Sequence, residues 1–101
     1  MARPNGKADA VISHAVAEDI HRAALSEGSQ MFWRIEIDRG EHAGMYIARP
    51  ILVRGGRPSQ MSYILLGETL ADVQMQIPSG LQRVTCPDPL VVEEWIEGDR
   101  P

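Results

Sequence analysis

The stretch DPLVVEEWIEG, residues 88–98, decides how many helices and strands the chain contains. As a strand it would send the adjacent Glu93 and Glu94 to opposite faces, one of them inward. As a helix it gathers Val91, Val92, Trp95 and Ile96 on one side and Glu93, Glu94 and Glu97 on the other. Asp88 stands where a cap belongs, and Pro89 suits a first helical position. The stretch is therefore expected to be a closing helix that turns its three glutamates to solvent.

Working back along the chain, LQRVTC (residues 81–86) is expected as a strand. ETLADVQMQIPSG (68–80) reads as a short helix capped by Thr69, with Asp72 near its positive end. Its buried stripe would be Leu70, Val73 and Ile77, and Pro78 and Gly80 end it. MSYILLG (61–67) and MYIARPILV (45–53) are apolar and extended. Pro50 cannot donate to a ladder, so it marks an edge, a bulge or a break. Between these strands RGGRPSQ is expected as a long hairpin tip over 54–60. Pro58 argues against a two-residue Gly55–Gly56 turn.

MFWRIEID (31–38) alternates, with Met31, Trp33, Ile35 and Ile37 one way and Arg34, Glu36 and Asp38 the other, as a half-buried strand does. RGEHAG (39–44) follows as a turn. Residues 9–27 have a helical period. Ile12, Val16, Ile20, Ala23 and Ala24 share one side, His14, Glu18, His21 and Arg22 the other, and Gly28 stops the helix. The order is α-β-β-β-α-β-α, an α+β domain on a small three- to four-stranded, mainly antiparallel sheet. One domain is expected over 9–97, with 1–8 a disordered N-terminal tail and 98–101 a frayed end.

At 101 residues, 44% hydrophobic and 24% charged, the chain suits one soluble globular domain. The lone Cys86 rules out an internal disulfide and a zinc site with several cysteines, and it fits a reducing cytoplasm. No apolar run approaches the roughly 18 residues of a membrane span, and no signal segment is evident. The charge is divided. Residues 1–42 hold five bases and seven acids, residues 43–66 three bases and no acid, and residues 67–101 two bases and seven acids. A basic middle inside a chain of net charge −4 implies a dipolar surface.

In the last third, TLADVQMQIPSGLQRV and DPLVVEEWI resemble the ending of small uncharacterised bacterial proteins. These combine a leucine-containing helix, a Pro-x-Gly-Leu turn and an Asp-Pro-x-x-Val-Glu-x-Trp ending. The resemblance implies a bacterial or phage origin and carries no activity with it.

Arg49, Arg54 and Arg57 lie in a stretch without acids, and guanidinium groups suit carboxylate or phosphate. They either pair with the acids of residues 67–101 or grip a partner. With one lysine and few aromatics, direct nucleic-acid binding is disfavoured, and another protein or a nucleoprotein complex is the expected partner. The leading expectation is a small acidic, non-enzymatic protein-binding module that uses Arg49, Arg54, Arg57, Glu93, Glu94 and Glu97. A phage-type inhibitor of the anti-CRISPR kind, whose acids imitate phosphates, would have this size and charge.

Two alternatives stand beside it. His14, Glu18 and His21, at i, i+4 and i+7, could hold a metal for a small hydrolase, although a solvated helix face explains them too. The strands at 45–53 and 61–66 are apolar on both faces, which leaves room for a homodimer. Glu36, Asp38, Glu41 and His42 form an acidic patch that a strand running into a turn explains equally well. Cys86 lacks any local sign of a nucleophile and reads as a small buried hydrophobe. Phosphate-loop and dinucleotide motifs are absent, so no cofactor is expected.

Overall fold

Residues Glu93–Glu97 form a strand, and the architecture changes with them. The computed structural model describes residues 9–97, so the expected tail at 1–8 and the frayed end at 98–101 lie outside the described residues. The elements are β1 (Ala10–Val11), α1 (His14–Ser26), β2 (Gln30–Ile37), β3 (Tyr46–Arg54), β4 (Arg57–Gln60), β5 (Tyr63–Gly67), α2 (Leu70–Gln76), β6 (Leu81–Val84) and β7 (Glu93–Glu97). The expected three- to four-stranded sheet in the order α-β-β-β-α-β-α is thereby overturned. Seven strands form one sheet in the order β1-β5-β3-β2-β7-β6, with β4 paired to β3. The sheet is mixed, because β1 runs parallel to β5 while the other pairs are antiparallel.

The features that suggested a closing helix serve a turn instead. Asp88 accepts from Leu90 N through its side chain (2.9 Å) and from Val91 N through its carbonyl (3.0 Å). Asp-Pro opens a turn as readily as a helix. Val92 N then donates to Ile35 O, and β7 enters between β2 and β6, with Trp95 opposite both Trp33 and Arg83.

The expected helix over 9–27 is shortened at its start. Ser13 caps α1, accepting from Val16 N at 3.2 Å, and the residues before it form β1. Its buried line is Ala17, His21 and Ala24, so the helix is rotated from the expected face; Val16 is 42% exposed. Two alanines on that line let the helix approach the sheet closely. Thr69 does cap α2, accepting from Asp72 N at 3.1 Å. Gly67 matters just before it: a Cβ there would lie 2.8 Å from Val73 N and 2.9 Å from the Asp72 Cβ.

The tip of the β3–β4 hairpin is the two-residue turn that Pro58 argued against. Gly55 and Gly56 both have positive φ (57° and 77°), as a type I′ turn requires. The closing pair Arg54–Arg57 carries the ladder bonds, so at the next pair, Val53–Pro58, the proline nitrogen faces the open edge and no bond is lost. Pro50 is handled similarly. It sits opposite Trp33, and its carbonyl accepts from Met61 N where the neighbouring strand is interrupted between β4 and β5.

One face of the sheet carries the core. Met31, Trp33 and Ile35 of β2, Ala48 of β3 and Leu65 of β5 pack with Ala17 and Ala24 of α1 and Val73 of α2. Burying each large side chain contributes roughly 1.5–3 kcal/mol. On the opposite face Ile47, Ile51 and Ile64 are also buried, among the partly buried Phe32, Arg34, Arg49 and Glu94. No helix of the described residues is long and apolar enough to cross a membrane.

Candidate functional site

Strand β7 aims Glu93, Trp95 and Glu97 at the helix face and Glu94 at the opposite one, since its register places Trp95 beside Trp33 and Glu94 beside Arg34. Of the two inward glutamates, Glu93 is an internal group and Glu97, its side chain 37% exposed, sits at the margin. Glu93 is 6% exposed; its Oε1 accepts from Gln74 Nε2 (2.6 Å) and Trp95 Nε1 (2.9 Å), and Arg83 lies 3.8 Å from its other oxygen. Glu97 Oε2 lies 2.5 Å from Nε2 of the buried His21. Trp33 Nε1 donates to His21 Nδ1 at 3.1 Å. An indole N–H only donates, so Nδ1 is the acceptor and the ring proton sits on Nε2, facing Glu97. With its one lone pair taken, His21 is a structural link between α1, β2 and β7 and has no free nitrogen for a base or a metal.

That geometry also dissolves the expected triad. His14 and Glu18 remain neighbours, Nε2 to Oε2 3.4 Å, but Nδ1 of His14 meets the Gln76 carbonyl and Glu18 accepts from Ser79 N at 2.8 Å. Hydrogen bonding from Ser79, with His14 and Arg22 adding less, holds the Glu18 carboxyl below its ordinary value. His21 points away into the core, and among the described residues no three His, Cys, Asp or Glu converge on a metal-sized site. Within the expected acidic patch, Asp38 supports the turn after β2. Burial pushes the Asp38 carboxyl up, but N–H bonds from His42, Gly40 and Arg39 outweigh it and hold the group low. Cys86 is partly buried.

The arginines fall into two settings. Arg34 and Arg49 sit directly opposite each other on β2 and β3. Arg34 pairs with Glu94 at 3.1 Å and lies 5.7 Å above the Phe32 ring. Arg49 holds Asp9 through two bonds (3.0 and 2.9 Å) and also donates to Met61 O. Each arginine there has its own carboxylate. Arg54 and Arg57 are likewise directly opposite, at the hairpin end. Arg54 binds Glu27, at the end of α1, at 2.5 Å, and the bond from Arg54 together with one from Ser29 keeps the Glu27 carboxyl below its ordinary range. Among the described residues no acid pairs with Arg57. The acids that answer Arg49 and Arg54 thus come from the first third of the chain and not from the acidic last third.

The six residues expected to form two oppositely charged clusters, an arginine tip and an acidic helix, consequently occupy three places. Arg49 and Glu94 lie on the outer face, Glu93 and Glu97 under the helices, and Arg54 and Arg57 at the exposed tip. Two hollows that the sequence did not signal flank this tip. An open groove of about 450 Å³ on the outer face is lined by Phe32, Ile51, Val53 and Pro58, among others. A smaller depression of about 180 Å³ lies between α1 and the hairpin. No family model, curated protein or solved structure matches the chain.

Proposed function

We propose that the protein is a non-enzymatic binding module that engages another protein through the β3–β4 hairpin end. The observation that carries this reading is the two facing arginines, Arg54 and Arg57, with one carboxylate, Glu27, on Arg54 alone. Like charges directly opposite on a sheet oppose folding, and a partner's acid would relieve that repulsion. Two buried titratable groups support the same reading, because they are committed to the frame: Glu93 to Gln74 and Trp95, and His21 to Trp33 and Glu97. Among the described residues no buried side-chain polar atom lacks a partner. A phosphate-imitating inhibitor would need an exposed acidic row, and strand β7 splits Glu93, Glu94 and Glu97 between two faces. We therefore keep the binding role and assign it to the basic tip. The cytoplasm, where a single thiol stays reduced, is the compartment that suits it.

The test is retention. Immobilised protein should hold a defined partner from bacterial lysate, and the double variant Arg54→Gln/Arg57→Gln, with an unchanged circular dichroism spectrum, should lose it. Equal retention by both would remove the hairpin end from the reading.

A further inference from the structure

The depression beside the arginines suggests what they hold. It is lined by Ile20 and Ala23 of α1, Met31 of β2, Leu52 of β3, and Met61 and Tyr63, with Arg54 and Glu27 at its rim. At about 180 Å³ and open to solvent, it has room for part of one inserted apolar side chain. Met31 closes its floor from the core, and the partly buried Met61 is a flexible side chain that can adapt to an inserted shape. Leu52 and Arg54 point to the same face of β3, and Arg57 faces Arg54, so the apolar floor and the cationic rim are contiguous.

Resting on the binding role above, we propose that this depression docks an acidic segment of a partner protein. One apolar side chain of the segment fills the hollow, and a neighbouring carboxylate bridges Arg54 and Arg57. Charge favours that occupant. The chain as a whole carries −4, yet at this end two arginines, Arg54 and Arg57, meet one carboxylate, Glu27. An acidic partner is therefore repelled broadly and drawn in at this end. Arg49, the third base of residues 43–66, is held by Asp9 and Met61 O and is not available to it. Glu27 already occupies Arg54, so an incoming carboxylate meets Arg57 first and then shares or displaces Glu27.

The full ¹⁵N-labelled chain is titrated with a terminally blocked peptide containing Leu-Phe-Asp-Glu, with its Leu-Phe-Asn-Gln counterpart, and with inorganic phosphate. The expected result is amide shifts at Leu52, Arg54, Arg57 and Met61, with the acidic peptide binding at least about tenfold more tightly than its amide counterpart. Arg54→Gln/Arg57→Gln should erase that preference while leaving the amide peptide's weaker shifts in place. Equal binding of the two peptides, or shifts confined to another surface, overturns the proposal. Saturation of the same residues by phosphate, with no gain from the apolar residues, overturns it in favour of a simple anion site. Dilution-dependent shifts without peptide overturn it in favour of a second copy of this chain. If the peptides fail while lysate retention still depends on Arg54 and Arg57, the binding role stands and the ligand class is wrong. If retention is also independent of the two arginines, both fall.

Discussion

Strand β3 takes part in two facing arginine pairs, and they have opposite characters. Arg34 and Arg49 face each other on the outer side, each with its own carboxylate, Glu94 and Asp9. Arg54 and Arg57 face each other at the tip, and the one carboxylate there, Glu27, is held by Arg54. The residue type and the local geometry are the same, and the number of acids within reach differs. The first pair closes the frame, tying β2 to β7 and the start of β1 to the sheet. The second pair has capacity to spare. A charge count along the chain cannot separate them, because Arg49, Arg54 and Arg57 fall in one basic region while Arg34 and the answering acids come from elsewhere.

The sharpest way to break this comparison is to remove the acids of the outer pair. Asp9→Asn with Glu94→Gln leaves Arg34 facing Arg49 without a carboxylate. Both arginines are substantially covered, with side chains 29% and 18% exposed. Hydrogen bonds to charged groups are worth about 1.5–3 kcal/mol each when partly buried. The double variant should lose about 2–3 kcal/mol in urea unfolding. Arg54→Gln/Arg57→Gln, at the exposed tip, should stay within about 0.5 kcal/mol of the parent. Equal losses would mean that the tip is also framework.

A smaller effect is expected in acid. The Arg54 guanidinium, with Ser29, holds the Glu27 carboxyl below its ordinary value. A depressed carboxyl adds stability that is present above the ordinary glutamate range and is lost as pH falls through its lowered folded value. The side-chain carboxyl resonance of Glu27 should titrate below the ordinary glutamate range and move back towards it in Arg54→Gln. No movement would show that Arg54 does not hold Glu27 in solution.

How much of this was legible follows from where each partner lies. Strand β2 shows its inward and outward sides plainly, because Met31, Trp33 and Ile35 are apolar and pack on apolar neighbours. Strand β7, paired beside it, hides its period, since its inward positions include Glu93 and Glu97. Glu93 is acceptable inside because Gln74 and Trp95 meet it, and the half-buried Glu97 is met by His21, 76 residues away. The same contact misassigned the face of α1, where His21 counts as polar by type and is buried by context. The Thr69 cap was readable because donor and acceptor are three residues apart. Two-residue β1 is too short to show any period. Arg54 and Arg57 stood out as candidates. That Arg54 is answered from 27 residues upstream, and Arg57 by no acid among the described residues, belongs to the fold.

The least disruptive substitution discriminates best between the two pairs. Arg57→Glu places a carboxylate directly opposite Arg54 in place of a like charge. Opposite charges at facing positions contribute about 0.2–1 kcal/mol, offset in part by solvent at so exposed a site and by the new neighbour Glu27. The net expectation is a gain of a few tenths of a kcal/mol, read as a small rise in the midpoint of thermal unfolding. A native arginine whose reversal does not weaken the fold contributes nothing to it by its charge. The same variant should lose the partner in the retention assay, since it fills the site with the chain's own acid. A fall in stability would mean that Arg57 has an internal partner and that the tip, like the outer pair, is closed.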